Sequence, residues 1–337
     1  MTTSPAAAID TTIATTTRQA RPAISCVVPA YNEAANLGLM LTALTAQLTH
    51  LTERWEVIVV DDGSRDATPM AIAPFLAEPG VRYVRLSRNF GKEAALTAGI
   101  DRAGGEVVLL MDADLQHPAS LVPDMLAAWQ AGADMVCAAR ASRADESLPK
   151  RIGTAIFYQL VNRGSQVKIP VDAGDFRLMD RRVVEALKSL PERNRFMKGL
   201  YAWVGFHNVI IPYTPAERHA GVSTFSLRRL ARLAFTSVTA FTNAPLRLWS
   251  GIGVVTAMLA LAFGTWIVVD HLLYGSDVPG WATIVTGMAF LSGVQLLSIG
   301  ILGEYVGRIF DEVKQRPVYL VGSEAGRGAL DEAPRKT

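Results

Sequence analysis

"VVLLMDADLQHP", residues 107–118, drives an apolar run into two aspartates one residue apart. A short continuous run of branched and aliphatic residues reads as a buried strand. Where a strand becomes a loop, side chains at i and i+2 can face one ligand, so Asp112 and Asp114 form a candidate pair with Gln116 one step further on. Working outward, similar runs alternate with helical patterns. "ISCVVPA" precedes Asn36–His50, "WEVIVVDD" precedes Ala67–Leu76, and "VRYVRLS" precedes Lys92–Ala103; "EVVLLMDAD" then precedes Ala119–Ala131, followed by "ADMVCAA". This alternation predicts an α/β fold, a mostly parallel sheet with helices on both faces. Ligands of such sheets collect outside the carboxyl ends of the strands. Three of those ends carry acid: "PAYNE", "DDGS" and "DAD".

The chain has 337 residues, of which 50% are hydrophobic, high for a purely soluble protein. Its formal net charge of +2 offers no global argument for nucleic acid, and no nucleic-acid partner is expected. Cys26 and Cys137 both fall inside apolar runs, which fits reduced, buried thiols on the cytosolic side and gives no disulfide or zinc pattern. The Thr/Ala-rich residues 1–22 lack the apolar core of a signal peptide and read as a disordered tail.

Composition changes near Arg247. Residues 248–269 carry no charged residue, and residues 281–302 repeat the pattern; each is long enough to cross about 30 Å of hydrocarbon. The joint between them has Asp270 and Asp277 but no Lys or Arg, whereas Arg228, Arg229, Arg232 and Arg247 precede it and Arg308, Lys314 and Arg316 follow. The positive-inside rule then places both termini in the cytoplasm of a multi-pass inner-membrane protein. The arginines and Leu/Phe residues of 226–247 alternate at helical spacing, as in an interfacial connector. The expected organisation is therefore a tail (1–22), a catalytic domain (23–225), the connector (226–247), two membrane helices (248–269 and 281–302) and a cytoplasmic C-terminal segment (303–337).

Acids converging from three strand ends are costly unless a cation and sugar or ribose hydroxyls occupy the space between them. The combination "VVPAYNE", "VVDDGSRDAT", "SRNFGKEAAL" and "DADLQHP" resembles the GT-A-fold glycosyltransferases of family two, in particular the polyprenyl-phosphate glycosyltransferases. The resemblance spans about Ile24 to Phe310. It implies a Rossmann-like GT-A domain ahead of the two-helix anchor. Pro29, Tyr31, Glu33 and Asp61 would hold the base and ribose of a nucleotide sugar, and Asn89 and Lys92 would contact that donor. Asp112, Asp114 and Gln116 would ligate Mg²⁺ or Mn²⁺ on the donor diphosphate. Asp175, in "VDAGDFRLMDR", would lie on the acceptor side, orienting the acceptor or a sugar hydroxyl. Inversion at the anomeric carbon and a homo-oligomer, often a tetramer, are further implications.

A phosphate monoester is already mostly dianionic at neutral pH, so the acceptor needs a cationic pocket more than a base. Arg140 and Arg218 are the candidate clamps, because guanidinium forks suit phosphate. Relatives commonly carry Ser-Lys in the following loop, where this chain has Ser223 and Thr224, one charge fewer, with Ser223 the remaining contact. The expected reaction moves one sugar, glucose first, from a UDP-sugar to a polyprenyl phosphate at the membrane. Two alternatives are a processive polysaccharide synthase, against which the absence of a Q-x-x-R-W element counts, and an inactive nucleotide-sugar sensor or scaffold.

Overall fold

A computed structural model describes residues 18–77, 79–140, 173–193, 195–213, 244–274, 280–328 and 330. The parallel strands β1 (Ile24–Ala30), β2 (Trp55–Asp61), β3 (Val81–Leu86) and β4 (Val107–Leu110) alternate with α1 (Ala34–Leu51), α2 (Thr68–Ile72) and α3 (Lys92–Arg102). Helix α4 (Val122–Gln130) leads to β5 (Met135–Arg140); then come β6 (Ala173–Asp180), α5 (Arg181–Ser189), α6 (Met197–Trp203) and β7 (Asn208–Tyr213). Two long helices, α7 (Ala244–Tyr274) and α8 (Trp281–Val313), precede a last strand, β8 (Val321–Gly326).

Among the described residues eight strands form one sheet in the order β7-β5-β6-β4-β1-β2-β3-β8. Only β6 and β8 run antiparallel to their neighbours. The chain moves from β1 through β2 to β3 on one side, then returns to place β4 on the other side of β1. That reversal leaves a crevice between the carboxyl ends of β1 and β4, the position at which open α/β sheets take ligands.

The strands are apolar on both faces because both faces are covered. On one side Cys26 and Val28 of β1 pack with Leu37, Met40, Leu41, Leu44 and Leu48 of α1, an i, i+3, i+4 stripe, and with α4. On the other, Val27, Ile58 and Leu110 pack with Ala95, Leu96 and Ile100 of α3 and with α5 and α6. Each of these side chains is fully buried or nearly so, and burial of each Val, Leu, Ile and Met among them contributes about 1.5–3 kcal/mol before chain entropy is counted. Helix α3 approaches β1 closely at Gly99, where an added Cβ would sit 2.2 Å from Val27 Cγ1.

Two strands lie beyond the sequence expectation. The segment that becomes β7 was not read as a strand, and β8, "VGSEAG", carries no alternating apolar pattern at all. Its pairing with β3 is supplied by tertiary context: the Glu324 carboxylate meets Arg102 at 2.7 Å and Arg82 at 3.8 Å, and Tyr319 Oη donates to Asp101 Oδ2 at 2.8 Å. The C-terminal segment thus completes the sheet of the first domain. At the other end, residues from Arg18 onward lie against the domain, with the Arg18 guanidinium on Asp134 and over the Trp129 ring. The expected tail therefore ends docked.

The two long apolar segments are helical, 31 and 33 residues in α7 and α8. Large apolar side chains stand exposed along both, including Leu259, Phe263 and Trp266 on α7 and Ile284, Phe290 and Leu296 on α8. Among the described residues, Phe290–Val313 has the length and composition of a membrane span. The expected connector lies outside the described residues through position 243.

Candidate active site

The crevice is assembled by loops that hold one another through backbone amides. After β1, Asn32 adopts a left-handed conformation with φ of 57°. Its amide donates to Ser64 Oγ at 2.9 Å and its Oδ1 accepts from the Arg65 amide at 2.9 Å, which laces the first loop to the second. An asparagine tolerates that backbone because its short amide can bond locally. Glu33, next in the chain, accepts from Asn36 Nδ2 at 2.7 Å.

The two aspartates after β2 divide the work. Asp61 is fully buried; its carboxylate accepts from the Ser64 amide and from the Tyr83 hydroxyl. Burial and the adjacent Asp61 carboxylate together push the Tyr83 phenol upward, so it remains a donor. Asp62 instead accepts from the Phe90 and Gly91 amides at 2.7 and 2.9 Å. Burial raises the Asp62 pKa even against those two bonds. By gripping the residues just before α3, Asp62 sets the direction of the helix and of its first side chain, Lys92.

Lys92 is the centre of the site. Its ammonium lies 2.7 Å from Asp112 and 2.7 Å from Asp175, joining the end of β4 to β6. Without that cation, two carboxylates sharing one ligand would repel. Burial alone would lower the lysine pKa; Asp112 and Asp175 reverse the direction and hold it up. Burial would likewise raise Asp112, but Lys92 and His117 outweigh it and keep the carboxyl well below the usual range. Asp112 is ionised at any physiological pH.

His117 was not singled out in the sequence, although it sits inside "DADLQHP". Its Nδ1 lies 2.8 Å from Tyr213 Oη, its Nε2 3.6 Å from Asp112 Oδ2, and its ring 4.8 Å from that of Phe176. Tyr213, at the end of β7, an element the sequence reading missed, thus holds the imidazole that backs the aspartate. Leu115, with φ of 61°, makes the tight bend that turns "DAD" back toward this contact.

A crevice of about 360 Å³ results, lined by Pro29, Tyr31, Glu33, Asp62, Asn89, Lys92, Asp112 and Asp114 among others. The expected donor residues Pro29, Tyr31, Glu33, Asn89, Lys92 and Asp112 therefore share one cavity. Asp61 stands behind its wall, and Asp62 occupies the place on the lining. Asp175 reaches the cluster through Lys92. Gln116 lies beside it, with its Oε1 accepting from Arg140 Nη2 at 2.9 Å, so the expected metal-side amide and acceptor-side guanidinium are already joined. Arg218 and Ser223 lie outside the described residues.

A divalent cation fits this donor set. Asp112 and Asp114 present hard carboxylate oxygens at the crevice, and Gln116, whose backbone amide donates to Asp114 and whose Oε1 accepts from Arg140, follows on the same loop, while no group of three or more His, Cys, Asp or Glu among the described residues would hold a metal unaided. Such a set suits an ion that takes one or two carboxylates and leaves its other positions to phosphate and water.

Comparison with known proteins bears on the same residues. The glycosyl transferase family 2 profile matches residues 25–188, and the profile described as GtrB C-terminal hairpin matches 244–309. The SfII prophage-derived bactoprenol glucosyl transferase of Shigella flexneri is 43% identical over 299 residues, 88% of this chain and 97% of its own length. The chain belongs to glycosyl transferase family 2. A prophage bactoprenol glucosyl transferase homolog of Escherichia coli K12 is 42% identical over 88% of this chain and 98% of its own. A glycosyltransferase of Synechocystis sp. is 42% identical over 88% and 94%. This family-2 protein is accordingly a glycosyltransferase with a GT-A-like α/β fold, and the sequence motifs that suggested the family all fall on the crevice loops.

Proposed function

We propose that this transferase moves one glucosyl unit from UDP-glucose to a polyprenyl phosphate, with inversion at the anomeric carbon, at the cytoplasmic face of a membrane. The observation that carries the proposal is the Lys92 bridge between Asp112 and Asp175 at the switch point of the sheet. The bactoprenol glucosyl transferases that match nearly their whole length support the choice of sugar and of lipid acceptor.

In this reading Pro29, Tyr31, Glu33 and Asn89 seat the nucleotide, with Asp61 bracing the loops from behind. Asp112, Asp114 and Gln116 would hold Mg²⁺ or Mn²⁺. Bound there, the ion offsets the negative charge that builds on the leaving diphosphate. Lys92 contributes a second positive charge close to the same oxygens and keeps Asp175 turned toward the sugar. An oxygen of the acceptor phosphate forms the new bond to C1 as the bond from C1 to the diphosphate oxygen breaks, and UDP leaves. No proton need be removed, because the acceptor is already a dianion. Arg140, with Arg218 and Ser223, offsets the repulsion between the two phosphate groups.

Helices α7 and α8 serve as a two-span anchor, both termini on the cytoplasmic side, so that the crevice stays near a lipid confined to the bilayer. Their exposed apolar side chains and the match to a C-terminal hairpin support this arrangement. The domain limits read from the sequence stand in the proposal with one addition, that β8 belongs to the catalytic sheet. A homo-oligomer, with a tetramer as one form, completes it.

The test is transfer itself. Purified protein supplied with radiolabelled UDP-glucose, undecaprenyl phosphate and Mn²⁺ should yield one labelled glucose per lipid. Donor binding without labelled lipid would favour the sensor, and a polymer would favour the processive synthase.

A further inference from the structure

A second cavity adjoins the crevice and has the opposite electrostatic character. It measures about 460 Å³ and is lined by Arg65, Arg85, Arg88, Ser64, Ser87 and Ser323 together with glycines 63 and 322, Leu86 and Asn89; none of these residues is acidic. Asn89 also lines the donor crevice, so the two cavities share a wall.

The arginines are held at different depths. Arg85 donates to the Ser64 carbonyl at 3.0 Å and lies 3.7 Å from the buried Asp61 carboxylate, so its charge is partly offset. Arg88 stacks on Phe90 at 4.0 Å and donates to the Asn89 carbonyl, and neither Arg88 nor Arg65 pairs with a carboxylate within 4.0 Å among the described residues. Arg88 still feels the more distant Asp62 carboxylate, but two guanidinium groups without a direct ion pair around a concavity attract an anion, and their forked donors match phosphate oxygens. Gly63, with φ of 70°, lets the turn after β2 lie against the Arg88 backbone, where a Cβ would be 2.6 Å from the carbonyl carbon. The far wall is β8, which reaches this edge only because the C-terminal segment returns from α8 to the sheet.

We infer that this cavity is a second phosphate-binding site, separate from donor and acceptor, that takes a phosphate monoester. The volume corresponds to roughly fifteen waters at about 30 Å³ each, room for a phosphate and part of the group that bears it. A soluble phosphate and the headgroup of an anionic lipid share this chemistry.

The full chain in phosphatidylcholine nanodiscs distinguishes the two sources. Melting is followed at constant ionic strength with and without inorganic phosphate, and again in nanodiscs containing phosphatidic acid. The proposal expects a rise in Tm with at least one of these phosphates, kept in Arg140→Ala and lost in Arg65→Ala/Arg88→Ala. Ser323→Asp, which places a carboxylate in the wall without removing an arginine, should lose it as well. A rise with inorganic phosphate identifies a soluble ligand; a rise confined to phosphatidic acid identifies a lipid. No rise with either phosphate, or an equal rise in the double variant, overturns the site.

Discussion

At the residue scale, the account rests on one ammonium held by two carboxylates. Replacing Asp175 by Asn removes one of the two negative charges on the Lys92 ammonium and, in the proposed reading, the carboxylate that faces the acceptor side. Steady-state kinetics should show kcat reduced by about 10–100-fold with donor KM little changed, the pattern of an interaction made chiefly in the transition state. Near-normal turnover would remove Asp175 from the reaction. Glu93, the next residue along α3, accepts from the Met197 amide, and burial with the nearby Asp175 charge pushes its carboxyl up to about 7. The folded protein therefore holds this proton more tightly than the unfolded chain. The resulting stability is fully present below the unfolded pKa of about 4.5 and is lost as pH rises through about 7. Glu93→Gln should flatten that loss, gaining on the order of 2–3 kcal/mol relative to the parent at pH 8 in denaturant titrations. An unchanged pH profile would contradict the assignment. The acids of the crevice were legible because they follow apolar runs; His117 was not, since its partner Tyr213 is 96 residues away.

At the element scale, β1 to β5 and α1 to α4 were readable because each buries an apolar face with the period of its own structure. β8 was not: four of its six residues are Gly, Ser or Glu, and what places it is an exposed edge of β3 and the Arg102–Glu324 pair. Edge strands gain their order from the partner rather than from their own side chains. Truncation after Val318 removes β8 and the Tyr319 hydroxyl and leaves the outer edge of β3 unpaired, with β2 its remaining neighbour. Its cost should be about 2 kcal/mol, a fall of roughly 4–8 °C in the melting temperature of a domain this size. An unaltered melting curve would show that β8 adds nothing to the fold. The division of labour between Asp61 and Asp62 was equally hidden, because both stand at one strand end and only the direction of each side chain separates the brace from the lining residue.

At the scale of the whole molecule, an α/β sheet and two long apolar helices are tied together by the returning C-terminal strand. The proposed topology places the joint between α7 and α8 outside the cytoplasm. Ser276→Cys in intact cells should react with a membrane-impermeant maleimide added from outside, against little background, since Cys26 and Cys137 are buried. Protection of that cysteine until the membrane is permeabilised would reverse the orientation. The function was legible further than the anchor geometry, because four crevice motifs specify a chemistry while apolar length alone does not specify how a helix sits. What binds all scales together in the proposed reading is charge: acids at the edge of a sheet would take up a cation, and that cation would make a nucleoside diphosphate a good leaving group. The most direct measurement is the initial rate of labelled glucose transfer to undecaprenyl phosphate by the parent protein with Mn²⁺, in excess EDTA, and after Mn²⁺ is restored. The account predicts a fall of about 100-fold or more in EDTA and full recovery; undiminished transfer in EDTA would contradict it.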